Sequence, residues 1–367
     1  VPEPIRFSDV IDSRLKDFFL ETQVDVKRIS EDLVPLVEYS EKFLTGGKRF
    51  RARFCFWGWR AIAGLAADDD GAHTDHPIFD LASTLEIFHA AALVHDDIMD
   101  NSDTRRGEPA AHRWFQTHHA GHSFAGDSRH YGISTALLVG DLLLAWADEM
   151  LSQALSKTTS AEARALTRSE YQRMRSEVTL GQYLDIHEEA AWRHTPDTSR
   201  FDRAMRVITY KSAKYSMEAP LRLGGSLASA TANQLDQLSA FGLPLGIAFQ
   251  LRDDILGVFG DPDVTGKPSG DDLREGKRTV LIALAEQEMS PSARSVFADL
   301  LGDPDLTEDQ ITVMQTTLHD TGAVQKVEAI ISESVEKALD ALDRATITPE
   351  AQTELARLAE AVTKRLA

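Results

Sequence analysis

Apolar residues recur at three- and four-residue spacing along nearly the whole chain of 367 residues, and no sustained run of period two interrupts them. Residues 12–40 predict two amphipathic helical pieces, with Leu15, Phe18 and Phe19 on one apolar face and Leu33, Leu36 and Val37 on the next. Thr45-Gly46-Gly47 breaks that pattern, and Lys48, Arg49, Arg51 and Arg53 then enter an apolar helical segment. Residues 78–94 and 133–155 read as strongly apolar helices, the second with Asp141 as a buried-looking acid. Helices are also predicted over 161–191, 201–223, 234–258, 278–289, 291–301, 307–320, 322–345 and 349–366. Thr307 with Gln310 forms a capping box, and Thr348 precedes Pro349 as a cap with proline at the first helical position. Residues 260–276 form a loop punctuated by Gly260, Pro262, Gly266, Pro268 and Gly270. With no dividing linker, the pattern predicts one all-α domain over residues 1–367, a large helical bundle around an apolar interior.

Composition narrows the class. Hydrophobic residues make up 43% and charged residues 26%, as in a soluble globular protein. The net charge of −19 excludes a nucleic-acid surface or an anionic-membrane surface, which needs a basic field. Against that acidic background the cations at Lys48, Arg49, Arg51 and Arg53 stand out as a candidate anion site. The single cysteine, Cys55, rules out an internal disulfide framework and fits a reducing, cytoplasmic location. No signal peptide is legible, and the apolar run 133–147 is short and broken by Asp141, so no membrane anchor is expected. His118, His119, His122 and His130 lie among Gly, Ser and Asp without a carboxylate partner at metal-site spacing, so 114–131 reads as a surface insertion.

The chemistry begins at His89 and the run Val94-His95-Asp96-Asp97-Ile98-Met99-Asp100. On a helix Asp96 and Asp100 share a face, with Asp97 about 100° round from Asp96. Such carboxylates repel one another unless a cation compensates, and an all-oxygen donor set selects Mg²⁺. Mg²⁺ completes its sphere with phosphate oxygens, and Arg105-Arg106 downstream supply forked phosphate donors. A second apolar helix runs into Phe249-Gln250-Leu251-Arg252-Asp253-Asp254. In a bundle two such helix ends can hold a metal cluster. Lys211, Ser212 and Lys214 lie on another helix, Gln182 and Asp185 share a face of the 161–191 helix, and Lys267 and Lys277 flank the 260–276 loop, which is suited to close over a diphosphate.

These motifs resemble those of the trans-polyprenyl diphosphate synthases: Gly46-Gly47-Lys48-Arg49-Phe50-Arg51, His89 with Asp96-Asp97-Ile98-Met99-Asp100 and Arg105-Arg106-Gly107, Lys211-Ser212, Phe249-Gln250 with Asp253-Asp254, and Gly266-Lys267-Pro268 through Lys277. The resemblance implies an all-α fold around a deep apolar cavity, three Mg²⁺ ions per active site and a homodimer. It assigns Lys48, Arg51, His89 and Arg106 to isopentenyl diphosphate. Arg105, Lys211, Ser212, Gln250, Lys267 and Lys277 go to the allylic diphosphate. It gives Asp96, Asp100 and Asp253 to Mg²⁺, and Asp97 and Asp254 to metal-bound water. This chain departs from the family's pattern at Gly257, where a third Asp is usual, at Ser212 for Thr, and at Ala52 where Pro is common.

The implied activity is head-to-tail condensation of isopentenyl diphosphate with an allylic diphosphate. In that family a bulky aromatic at the place of Ala91 stops the product early. Ala91 and Ala92 are small here, and Phe88, about 12 Å along the helix from Asp96, is the candidate floor of the product shaft. That favours geranylgeranyl diphosphate over fifteen-carbon or still longer products. A class I terpene cyclase is the main rival, and Lys48 and Arg51 speak against it because a cyclase needs no second diphosphate site. A catalytically silent partner would not keep both Asp clusters, and a metal-storage bundle would need Glu-x-x-His sets that do not line up.

Overall fold

The three- and four-residue spacing closes into helices almost everywhere. The structure, a computed structural model, describes residues 7–64, 75–261 and 269–363. In chain order the helices are α1 (Phe7–Ile29), α2 (Val34–Leu44), α3 (Phe50–Ala63), α4 (Pro77–Met99), α5 (Ala111–Gly121), α6 (Ser128–Lys157), α7 (Ala161–Ala191) and α8 (Asp197–Val207). A π-helical stretch, Ile208–Glu218, leads into α9 (Ala219–Leu227) and α10 (Ala232–Phe259). Then come α11 (Asp271–Glu275), α12 (Val280–Glu288), α13 (Pro291–Leu300), α14 (Glu308–Asp320), α15 (Ala323–Arg344) and α16 (Pro349–Thr363). The only strands among the described residues are β1 (Thr104–Arg105) and β2 (Glu108–Pro109), an antiparallel hairpin too short to leave a period-two signal.

The chain forms two compact units, Val1–Thr167 with Leu223–Ala230, and Arg168–Arg222 with Thr231–Ala367. In the first, α4 is the core helix, packed on α6, α3 and α1, while α5 packs on α6. In the second, α10 packs on α15 and on the π stretch, and its core gathers Leu251, Ile255, Val280, Leu284, Leu318 and Val327. The capping box at Thr307 and Gln310 is formed, as the sequence predicts, and a second one caps α10 through Thr231 and Gln234.

Three expectations change. Residues 111–121 are a helix that buries His112, Phe115 and His119 on one packed face, so the surface insertion expected over 114–131 holds only for its later part, where residues 120–127, 129 and 130 are exposed. Asp141 is 69% exposed rather than buried, because it shares an outward face of α6 with Leu137 and Leu138. Helix α6 runs to 30 residues, well past the apolar run read from sequence, and both it and α4 are long and apolar enough to cross a membrane by length and composition. The apolar window of α4 is 72% buried within the chain, as for a core helix, and that of α6 is 39% buried.

Candidate active site

Asp96 and Asp97 occupy the last turn of α4, and Asp100 is its C-cap, donating its backbone N–H to the Asp96 carbonyl at 2.8 Å. Carboxylates at a helix C-terminus face the negative end of the dipole, so this arrangement calls for cations. The hairpin supplies one. Arg106 and Gly107 both have left-handed φ, 54° and 77°, which makes the tight turn a primed hairpin requires. That turn brings Arg105 back onto α4, where Nε donates to Asp97 Oδ1 at 2.8 Å and Nη2 pairs with the same oxygen. Arg105 Nη2 lies 3.8 Å from Asp96 Oδ2. Asp97 is fully buried and fixes the guanidinium; Asp96 stays partly open.

A second set of cations gathers in the same unit. Arg49 has φ 50° and is buried, with Nη2 on Asp12 Oδ1 at 2.7 Å, Nη1 on Glu86 Oε2 at 3.0 Å and a further bond to the Leu44 carbonyl. Glu86 also accepts from the Ala52 backbone N–H at 3.3 Å. Of these two adjacent cations, which spacing alone does not distinguish, Arg49 is buried and anchors the loop while Lys48 is exposed. Gly47 adopts φ 97°, a backbone conformation that suits glycine, and a Cβ there would stand in ordinary contact with Arg106 Nη1 at 3.8 Å. Burial, then Arg51, Arg106, Arg105 and Arg49, holds the His89 imidazole well below its ordinary range, so it is neutral at physiological pH. Burial and then Arg49, with Arg105 and Arg51 adding to it, presses the Arg106 guanidinium down as well. Arg49 and Arg105 already have carboxylate partners in Asp12, Glu86 and Asp97, and each further cation beside them makes it harder for its neighbours to stay charged.

In the second unit Asp253 and Asp254 lie near the end of α10. Gln250 donates to Asp254 Oδ1 at 2.8 Å, one turn apart on the same face. Burial pushes the Asp254 carboxyl up to about 8, with Asp272 and Asp253 adding to the rise and Gln250 and Lys277 opposing it. Asp272 explains the departure at Gly257: its carboxylate fills the space beside that glycine, where an added Cβ would overlap it. A carboxylate therefore reaches this place from α11 rather than from α10. Lys277 Nζ lies 3.7 Å from Asp272 and 2.6 Å from Glu275. Lys267 lies outside the described residues.

Lys211 and Ser212 are on the π stretch. Lys211 Nζ bonds Asp185 Oδ2 at 2.5 Å, which gives Asp185 of α7 a definite partner. On α4, Phe88 and Ala91 are buried and Ala92 is partly open. Phe88, Ala92 and Asp96 follow at four-residue steps and so form one stripe, with Ala91, three residues beyond Phe88, at its edge.

The donors at both helix ends are carboxylate oxygens. Among the described residues no three His, Cys, Asp or Glu converge tightly enough to hold an ion by themselves. Each unit thus has a helix end rich in carboxylates, and the first adds a guanidinium cluster, forked donors of the kind that suits a phosphorylated anion.

The comparisons sharpen that class. The sequence model of the polyprenyl synthetase family matches residues 35–318. A geranylfarnesyl diphosphate synthase of Aeropyrum pernix is 32% identical over 313 residues, 85% of this chain and 88% of that enzyme. A geranylgeranyl diphosphate synthase of Sulfolobus acidocaldarius is 31% identical over 292 residues, 77% of this chain and 76% of that one. Among solved structures, a geranylgeranyl pyrophosphate synthase from Corynebacterium glutamicum, complexed with isoprenyl diphosphate and magnesium, has a TM-score of 0.91 at 39% identity, covering 99% of this chain and 100% of that chain. The chain belongs to the polyprenyl synthetase family and is a trans-polyprenyl diphosphate synthase of all-α fold.

Proposed function

We propose that this enzyme condenses isopentenyl diphosphate head-to-tail with allylic diphosphates to make geranylgeranyl diphosphate. The observation that carries the reading is the Arg105 guanidinium seated on Asp97 and 3.8 Å from Asp96 at the end of α4, with Arg49, Arg51 and Arg106 gathered with it around the buried His89. The geranylgeranyl product is supported by small Ala91 and Ala92 above Phe88, and by relatives of that activity. Lys48, Arg51, His89 and Arg106 bind the isopentenyl diphosphate. Arg105, Lys211, Ser212, Gln250, Lys267 and Lys277 bind the allylic diphosphate. Asp96, Asp100 and Asp253 ligate Mg²⁺, three ions per site, and Asp97 and Asp254 accept from metal-bound water. Both units carry motif residues, so we read them as one catalytic domain of a cytoplasmic homodimer. The apolar residues Leu137 and Leu138, exposed on α6, support the dimer.

The hard step is breaking an allylic C–O bond, with negative charge building on the departing diphosphate. Bound Mg²⁺ supplies Lewis-acid stabilisation of that charge. Arg105, fixed by Asp97, and Lys211, fixed by Asp185, present positive charge that needs no reorganisation as the bond lengthens. The first cation cluster holds isopentenyl diphosphate so that its double bond attacks the allylic cation, and loss of a proton restores the alkene. No side chain of the motifs is an evident general base, and the released diphosphate is the proton acceptor in this scheme.

Incubation with isopentenyl diphosphate, farnesyl diphosphate and Mg²⁺, followed by sizing of the dephosphorylated products, tests the proposal. Geranylgeraniol is the expected product. A longer chain would overturn the product assignment, and a cyclic hydrocarbon formed without isopentenyl diphosphate would overturn the condensation itself.

A further inference from the structure

The π-helical stretch Ile208–Glu218 spans 11 residues. π-helix occurs mostly as single-turn bulges, so a run of this length needs support from outside itself. Two neighbouring helices provide it through glycines. A Cβ on Gly181 of α7 would stand 2.5 Å from the Tyr210 carbonyl carbon and 2.7 Å from Lys211 Cα. One on Gly246 of α10 would stand 2.7 Å from Ala213 Cα and 2.8 Å from its carbonyl carbon. One turn earlier on α10, a Cβ on Gly242 would meet Glu218 Cα at 2.9 Å. At Gly181 and Gly246 each neighbour is backbone, which cannot swing aside as a side chain does, and at Gly242 the Leu221 side chain at 2.8 Å joins the Glu218 backbone. The glycines therefore let α7 and α10 touch the π backbone close to Lys211 and again at its end.

Side chains reinforce the same register. Glu177, Gly181 and Asp185 follow at four-residue steps and form one stripe on α7. Glu177 accepts from Lys214 Nζ at 2.9 and 3.1 Å, and Asp185 accepts from Lys211 Nζ at 2.5 Å. One stripe thus grips the π backbone at its middle and a lysine on either side.

We propose that Gly181 and Gly246 are positioning residues for the allylic-diphosphate half of the reaction. They hold the π register that aims the Lys211 ammonium and the Ser212 hydroxyl. The inference rests on the reading of Lys211 as a ligand of the allylic diphosphate. A shift of this backbone by about 1 Å moves a charge that the transition state needs in place, a displacement that can cost up to about a hundredfold in rate.

The test is steady-state kinetics of Gly181→Ala and Gly246→Ala, varying each substrate at saturation of the other. The expected result is a loss of about tenfold or more in kcat/KM for the allylic diphosphate, with the KM for isopentenyl diphosphate unchanged. Gly132→Ala is the comparison: its Cβ would overlap the His112 carbonyl oxygen and crowd the Gln116 backbone nitrogen at 3.0 Å, so it should lower Tm without that split between substrates. Equal effects on both substrates, or none, overturn the inference. If the alanine variants do not fold, hydrogen exchange on the wild-type enzyme decides. Amides of 208–218 protected equally with and without an inert allylic thiolodiphosphate support a preformed register, and protection that appears only on binding overturns it. Lys211→Ala separates the two levels. No change in the allylic KM sinks the ligand reading itself, whereas a rise there with neutral glycine variants sinks only the positioning role.

Discussion

At the scale of single residues, the site depends on groups that do not touch substrate in the proposed scheme. Arg49 is the clearest case. It ties the Gly46-Gly47 loop to α1 through Asp12 and to α4 through Glu86, with its own side chain 5% exposed. Arg49→Ala would leave Glu86 buried without its cation, so a loss of about 3 kcal/mol is expected in urea unfolding. An unchanged midpoint would mean that the loop is held by other contacts.

His89 gives a pH signature. Its folded pKa is held well below the ordinary 6.5, so the unfolded chain takes up a proton that the fold refuses. The stability contributed is present above that pH and is lost as the pH falls through 6.5 and below. The fall in Tm between pH 7 and pH 5 should therefore be smaller in His89→Gln than in the wild type. Parallel Tm curves would show that the imidazole does not set this dependence.

At the scale of elements, α4 does two jobs. Its last turn carries the carboxylates, and the stripe Phe88, Ala92, Asp96 runs back along the helix from them. Phe88→Ala should lengthen the product by at least one prenyl unit, since one helical turn of about 5.4 Å matches an extended unit. Product sizing by chromatography reads this directly, and an unchanged product would remove Phe88 as the floor. Helix α10 shows a different economy. It lacks a third acid at Gly257, and the gap admits the Asp272 carboxylate from α11, which helps to push Asp254 up.

At the scale of the whole molecule, the outward face of α6 is an apolar surface that a lone chain leaves uncovered. Leu137 and Leu138 are 45% and 59% exposed, on a helix whose apolar window is mostly open. In the proposed homodimer this face is covered by a second copy, so Leu138→Glu should shift the mass in light scattering from dimer to monomer. A wild-type monomer at micromolar concentration would overturn the dimer.

Much of this was legible in the chain alone. The order of the motifs and the period of the apolar residues fixed the family and the helices, with α7 predicted to its ends at residues 161 and 191. Carboxylates after an apolar helix, followed by paired arginines, are local signals, because helix faces follow directly from spacing. What sequence could not reach is which polar groups spend their charge on one another. Arg49 and Lys48 are adjacent cations, yet one turns inward and the other outward. Asp141 reads as buried and is open, since a hydrophobic run says nothing about which face of it is left bare. The small residues Gly181 and Gly246 look like ordinary breaks in helical propensity until the backbone they touch is known. The sequence by itself determined the elements and the chemistry they carry, because those depend on neighbours along the chain. Only the tertiary structure decided how that chemistry is aimed, because the burial, ion pairing and close backbone contact that aim it are made between residues distant in sequence.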